Sequence, residues 1–384
     1  MIPALNRHHV LRRAMLTFFV GVLLPLSLSA QDSNDERGQP KEVINYLQRV
    51  YDESHRQYTF RDDYPGGFRQ WQLAARGELR RMIGLDRILE QVGQHKPSIE
   101  LEDPSDHGKY TRQKGWIETE PDVRIPFWLL KPKGRGPFPL AILPHGHDPF
   151  GHDTYAGVHR DNVHKAQLLA QDHDVAVQAA ERGFLAIAPA TRGLAAGGVR
   201  DVYGRHDRSD CRSQLMHCLL AGRTAIGERV WDVQRIIDWA VTLPDANAKQ
   251  ILMMGNSGGG MVTLYAAACD ERITVAVPSS SFSTITSPTG RIYHCDCNMV
   301  PGLLEWGDLY DVAGLIAPRH LLAVNGRNDP LHEASSIEYS AARVRIIYTA
   351  AGYPQRFQHR WGADGHRFYS KLMWPFVLKS LTER

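Results

Sequence analysis

No long run of lysine or arginine occurs in this 384-residue chain, and its formal net charge is only +3. That excludes a nucleic-acid binder that works by neutralising many phosphates. Internal repeats and low-complexity tracts are also missing, so neither a solenoid nor a disordered polymer fits. The apolar stretch Ala14 to Leu28 falls short of the roughly 20 residues that span a bilayer. Cysteine is scarce and odd in number: Cys211, Cys218, Cys269, Cys295 and Cys297 cannot all pair. What is present is ordinary for a packed enzyme, with 43% hydrophobic and 23% charged residues.

The first thirty residues differ in kind. Arg12 and Arg13 precede the apolar stretch, which ends in Ser29 and Ala30 and runs into the polar Gln31-Asp32-Ser33-Asn34. This is the anatomy of a signal peptide, so the chain is expected to be exported, periplasmic or secreted, with the mature form starting near Gln31. No cysteine lies near the cut to accept a lipid, and no stable membrane insertion is expected after cleavage. In an oxidising compartment Cys211 and Cys218 are better spaced for a disulfide than Cys295 and Cys297, with free thiols an equal alternative.

Three segments are expected: residues 1–30 as signal peptide, 31–105 as an N-terminal helical extension packing on the core, and 106–384 as the catalytic domain. Helical patterning runs through Val43, Tyr46, Leu47 and Val50, and again through Trp71, Leu73, Leu79, Met82 and Ile83, with Gly84 as its stop. Tyr110 to Glu118 and Val123 to Leu130 read as an antiparallel hairpin. Thereafter Leu140 to Leu143 and Phe184 to Ala188 are continuous apolar runs, and the strand-like segments Gln250 to Met254, Ile273 to Val277 and His320 to Val324 follow. An amphipathic helix, Glu228 to Val241, lies among them. Buried strands alternating with helices predict an α/β fold with a mostly parallel, doubly wound sheet.

The strongest chemical signal is Gly255-Asn256-Ser257-Gly258-Gly259, between a buried strand and a helical run. A serine on such a turn has its hydroxyl exposed, and small neighbours let the helix pack close to the strand. A Walker-type phosphate loop would need Lys followed by Ser or Thr after its last glycine; Met261-Val262 stands there. A serine hydroxyl needs a base, and the base an orienting acid, in the order Ser, acid, His. Asp329, just past the run ending at Val324, and Gly-flanked His366 near the C-terminus meet that order. Asp308 and Asp311 are rival acids; His332 and His359 are rival bases. One oxyanion donor is expected from the backbone of Gly258 and the other from His147, in Pro144-His145-Gly146-His147 after the strand ending at Leu143. Arg192 stands at the same end of the sheet, either to bind an acidic sugar or to pair with a carboxylate.

These segments resemble the acetyl xylan esterase and dienelactone hydrolase branch of the α/β-hydrolases, especially its exported bacterial members. The resemblance runs from about Lys41 to the C-terminus. It rests on His145-Gly146-His147, Ala190-Thr191-Arg192-Gly193, Gly255 to Gly260, His294-Cys295-Asp296-Cys297-Asn298, Asn325 to Pro330 and Gly365-His366. It implies an α/β-hydrolase fold and a serine carbohydrate esterase that removes acetyl groups, or methyl groups from uronate esters, with no cofactor. Gly258 departs from the Gln that often follows the serine in acetyl xylan esterases, which puts the substrate in question and leaves the mechanism. A carbohydrate ester is the expected partner, and the oligomeric state is not fixed by the sequence.

Within the enzymes, a serine peptidase is the runner-up. A metal-dependent hydrolase on His145, His147, His152, His159 and His164 ranks lower, as does a non-catalytic binding protein that keeps the fold. No metal is assigned. Cys295-Asp296-Cys297 with one histidine supplies three ligands at best, so a structural loop is the preferred reading.

Overall fold

The computed structural model describes residues 40–286 and 294–383; the expected signal peptide lies outside the described residues. In chain order the strands are β1 Ser98–Leu101, β2 Ser105–Asp106, β3 Tyr110–Glu120, β4 Val123–Pro132, β5 Phe138–Ile142, β6 Leu185–Pro189, β7 Ala246–Asn256, β8 Val275–Ser279, β9 His320–Gly326 and β10 Phe357–Gly362. They form one 10-stranded sheet in the order β1-β3-β4-β6-β5-β7-β8-β9-β10, with β2 paired to β3. β3 and β4 form the expected antiparallel hairpin, and β4 runs antiparallel to β6. From β6 through β10 all neighbours are parallel.

The two-residue side-chain period of a strand explains why the central runs are apolar throughout. Leu140 and Ile142 face a cluster with Ile226, Val230 and Met261, whereas Ala141 and Leu143 join Val175, Ala179 and Phe376 on the opposite face. Each face is roofed by helices. Helix Ala225–Ala240 contributes Val230, Val233, Ile237 and Ala240. It starts three residues before the expected Glu228, because the Thr224 hydroxyl accepts a hydrogen bond from Gly227 N at 2.9 Å and caps it.

Helix Gly67–Met82 buries Trp71, Ala75 and Leu79 along one stripe. Gly84, at φ 83°, turns the chain, but helix resumes at Leu85–Val92 with Leu85 and Ile88 buried. One boundary shifts. β1 lies before residue 106 yet pairs with β3, so the sheet begins inside the segment read as a helical extension. Its four residues include no buried one, which left little hydrophobic signal for a strand. Among the described residues no helix is long and apolar enough to cross a membrane.

The winding reverses at β5, which lies between β6 and β7. The loops leaving the carboxyl ends of β5 and β7 therefore meet over a crevice, the place where open α/β sheets bind ligands.

Candidate active site

Ser257 follows β7 directly and precedes helix Gly258–Cys269. Its backbone stands at φ 56° and ψ −123°, a conformation that L-residues seldom adopt. Two backbone bonds hold it there, Ser257 N donating to Ser279 O at 2.9 Å and Met261 N to Ser257 O at 3.0 Å. The glycines around it are steric requirements. A Cβ on Gly259 would lie 2.1 Å from Pro144 O, and one on Gly260 would lie 2.1 Å from Ser281 Oγ. A Cβ on Gly146 would stand 2.5 Å from Asn256 O, 2.9 Å from Ser257 Cβ and 3.0 Å from Gly258 N. Only glycine lets the loop after β5 approach the serine turn this closely.

That loop is itself pinned. Asp148 Oδ1 accepts from Phe150 N at 2.7 Å, Gly151 N at 3.1 Å and Thr154 Oγ1 at 2.9 Å. Tyr155 Oη accepts from Asn256 N at 3.2 Å, tying the segment to the end of β7. Below it His145 is fully buried, and burial pulls its pKa down to about 3, so the ring is neutral. Its Nε2 accepts from Thr191 N at 2.9 Å, which leaves Nδ1–H to donate to Gly146 O at 2.7 Å. With both nitrogens engaged, His145 has no lone pair for a metal, and His164 is occupied by Arg160 N and Phe150. Among the described residues His145, His147, His152, His159 and His164 form no converging ligand set with one another.

On the other side of the crevice the loops after β9 and β10 are fastened together, Arg327 N donating to Gly362 O at 2.9 Å and Asn328 N to Asp364 O at 3.1 Å. This brings His366 Nδ1 to 2.7 Å from Asp329 Oδ2. Burial opposes charge on Asp329, but the hydrogen bond and charge of His366 outweigh it and hold the carboxyl below its usual range. Ser257 and His366 line one cavity of about 210 Å³ with Gly146, His147, Asp148 and His173.

Of the rivals, His332 is buried within reach of the charges of Asp329 and His366. His332 and His359 are each drawn down to about 4 by burial. Asp308 and Asp311 are buried at the start of helix Leu309–Gly314, where Arg56 Nη1 pairs with Asp308 Oδ2 at 3.2 Å and Asp311 Oδ1 accepts from Phe60 N at 3.0 Å.

Arg192 requires a correction. It is only 3% exposed, donates to Asp232 through Nε at 2.9 Å and to Glu120 through Nη1 at 2.6 Å, and has Glu228 at 3.5 Å. The guanidinium is spent on carboxylates inside the protein and cannot reach a sugar. Of the two readings of Cys211 and Cys218, a disulfide or free thiols, the structure has the second. Both lie on helix Asp210–Leu220, where seven residues rise about 10 Å, beyond the roughly 7 Å that a disulfide tolerates. All five cysteines are free thiols.

The sequence reading missed one grouping. The structure brings His147 and Cys211 to Cys295 and Cys297, with their ligand atoms all within 4.8 Å of one another. His294, the neighbour in sequence, turns away to pack against His332, with ring centroids 5.0 Å apart and planes tilted by 41°. The four residues come from three distant segments, so spacing carried no signal.

Comparison with known proteins agrees with this architecture. A protein of Bacillus subtilis named YtaP, a proposed hydrolase, is 24% identical over 250 residues, covering 63% of this chain and 78% of its own. A proposed acetyl xylan esterase from Bacteroides fragilis superposes with TM-score 0.67 at 16% identity, over 90% of this chain and 96% of that one. A methylesterase superposes with TM-score 0.60 at 21% identity, over 88% of this chain and 66% of its own. At such identities the solved structures establish a shared fold. The model of the X-Pro dipeptidyl-peptidase (S15) family matches residues 121–355, more than half of the sequence, and the chain belongs to that family of α/β-hydrolases.

Proposed function

We propose that the chain is an exported serine carboxylester hydrolase that removes acetyl groups, or uronate methyl groups, from carbohydrate. The observation that carries this reading is the shared cavity: Ser257, on its strained turn, faces the same space as His366, whose far nitrogen is held by Asp329. Ser257 Oγ attacks the ester carbonyl carbon while His366 Nε2 takes its proton. Collapse of the tetrahedral intermediate expels the alcohol, which receives that proton, and leaves an acyl-enzyme. Water then attacks by the same route. Asp329 keeps the proton of His366 on Nδ1 and stabilises the ring when it is charged. The backbone N–H groups of Gly258 and His147 receive the oxyanion, Gly258 also standing at a helix N-terminus.

The esterase and methylesterase names of the structural relatives favour an ester substrate. The S15 family name favours a second reading, cleavage of X-Pro dipeptides from peptide N-termini. A panel of acetylated sugars, methyl-esterified uronides, aryl acetates and X-Pro anilides, run on the purified protein, separates the two. Faster turnover of the anilides than of every ester would replace the esterase reading. Within either chemistry, Ser257→Ala and His366→Ala are each expected to lower turnover on the order of 10⁶-fold, and the double variant scarcely further. N-terminal sequencing of the native protein tests export; recovery of Met1 would refute it.

A further inference from the structure

We infer that His147, Cys211, Cys295 and Cys297 form a closed tetrahedral zinc site beside the crevice. In a tetrahedral site with Zn–S about 2.3 Å and Zn–N about 2.05 Å, sulfurs stand about 3.8 Å apart and nitrogen about 3.6 Å from sulfur. Here Cys297 Sγ is 3.5 Å from Cys295 Sγ, and His147 Nε2 is 3.1 Å from Cys211 Sγ and 3.9 Å from Cys297 Sγ. These three separations are close to the edge lengths of such a tetrahedron, and all four ligand atoms lie within 4.8 Å of one another. They are too far apart for a disulfide, whose sulfurs bond at about 2.05 Å.

The donor set points to zinc. Three soft thiolates and one imidazole select it over hard cations that prefer oxygen. The surroundings supply the charge balance. Zinc with three thiolates and a neutral imidazole carries one negative charge, and Arg229, 2% exposed, donates through Nη1 to Cys297 Sγ at 3.1 Å. Its Nε is anchored on Arg192 O at 2.8 Å. A buried guanidinium aimed at a sulfur has its charge matched only when the thiols are ionised, as they are on a metal. A second contact fixes the cysteine loop, Arg212 Nε donating to Asp296 Oδ2 at 2.6 Å.

Four protein ligands leave no open position, so the ion is structural and activates no water. It joins the loop after β5 to helix Asp210–Leu220 and to the Cys295–Cys297 turn. Binding through Nε2 also places the remaining ring proton of His147 on Nδ1, the atom that would lie 3.3 Å from a Cβ on Gly258. The inference stands without the hydrolase reading, since its test counts metal.

The full chain is purified without chelators, and zinc is measured against protein by plasma mass spectrometry. About one zinc per chain is expected, falling below about a tenth in Cys211→Ser and Cys295→Ser and unchanged in Cys218→Ser, whose thiol lies outside the cluster. If the cluster variants do not fold, the wild type decides: exchange with cobalt should give the intense ligand-field and sulfur charge-transfer bands of tetrahedral thiolate coordination. A wild type that takes up neither zinc nor cobalt, or a Cys211 disulfide with Cys295 or Cys297 found by peptide mass spectrometry, overturns the site.

Discussion

Two substitutions of Ser257 separate its chemistry from its backbone. Both Ser257→Ala and Ser257→Gly remove the hydroxyl, so both should lose turnover on the order of 10⁶-fold. Their stabilities should differ. The turn at φ 56° and ψ −123° costs a residue with a Cβ about 1–3 kcal/mol, and glycine does not incur that strain. Glycine gives back about 0.4–1 kcal/mol through the greater freedom of its unfolded chain. The balance leaves Ser257→Gly more stable than Ser257→Ala by roughly 0.5–2 kcal/mol. At about 2–4 °C per kcal/mol for a domain of this size, that is a melting point higher by a few degrees. Paired thermal and urea unfolding of the two variants measures it. If the alanine variant melts at or above the glycine variant, the turn is not strained as described; if either variant keeps turnover, Ser257 is not the nucleophile.

Other expectations follow from the same geometry. Gly146→Ala should push the loop after β5 off the serine turn and cost about 10²–10³ in kcat, the loss seen when one oxyanion donor goes, with an unchanged circular dichroism spectrum; full activity would show that the loop donates nothing. Arg192→Ala should destabilise by about 3–5 kcal/mol in urea unfolding, because it strands the buried Asp232 without its cation, whereas Glu120 keeps Arg223 at 2.8 Å. A raised KM with an unchanged midpoint would instead return Arg192 to the substrate. Burial pushes Asp308 up to about 6 and, with the charge of Asp308 added, Asp311 up to about 7. An unfolded Asp titrates near about 3.9, so the folded chain holds a proton that the unfolded chain has released. This contribution to stability is complete below about pH 4 and is lost as pH rises through about 7. The stability of wild type relative to Asp311→Asn should therefore decline between about pH 5 and pH 8, and a gap that stays constant or widens would refute it.

Features written in local sequence were the legible ones. The serine turn could be found because its glycines, the preceding apolar run and the following helix are contiguous. Asp329 and His366 could be found because each stands just past a strand, although β10 itself, with Phe357 and Gly362 buried and four half-buried residues between, gave no apolar run to mark it. Arg192 was ambiguous because its partners are remote: Asp232 is 40 residues away and Glu120 is 72. Sequence position put the guanidinium at the catalytic end of the sheet, whereas packing turned it inward. The cysteine cluster was hidden for the same reason, since Cys211 is 64 residues from the histidine it meets. The spacing that did draw the eye, His294 beside Cys295, was misleading because the two side chains diverge.

The Arg192 network also bears on how fast the molecule comes apart. With no disulfide among its cysteines, the chain has no covalent cross-link of that kind to hold it once strands begin to separate. A guanidinium that closes loops of 40 and 72 residues gains nothing until those loops are shut, so its pairing is made late in folding. Interactions absent from the folding transition state act on the unfolding rate. Arg192 therefore works as a clasp on the finished protein: it slows escape from the native state and leaves the speed of reaching it nearly untouched.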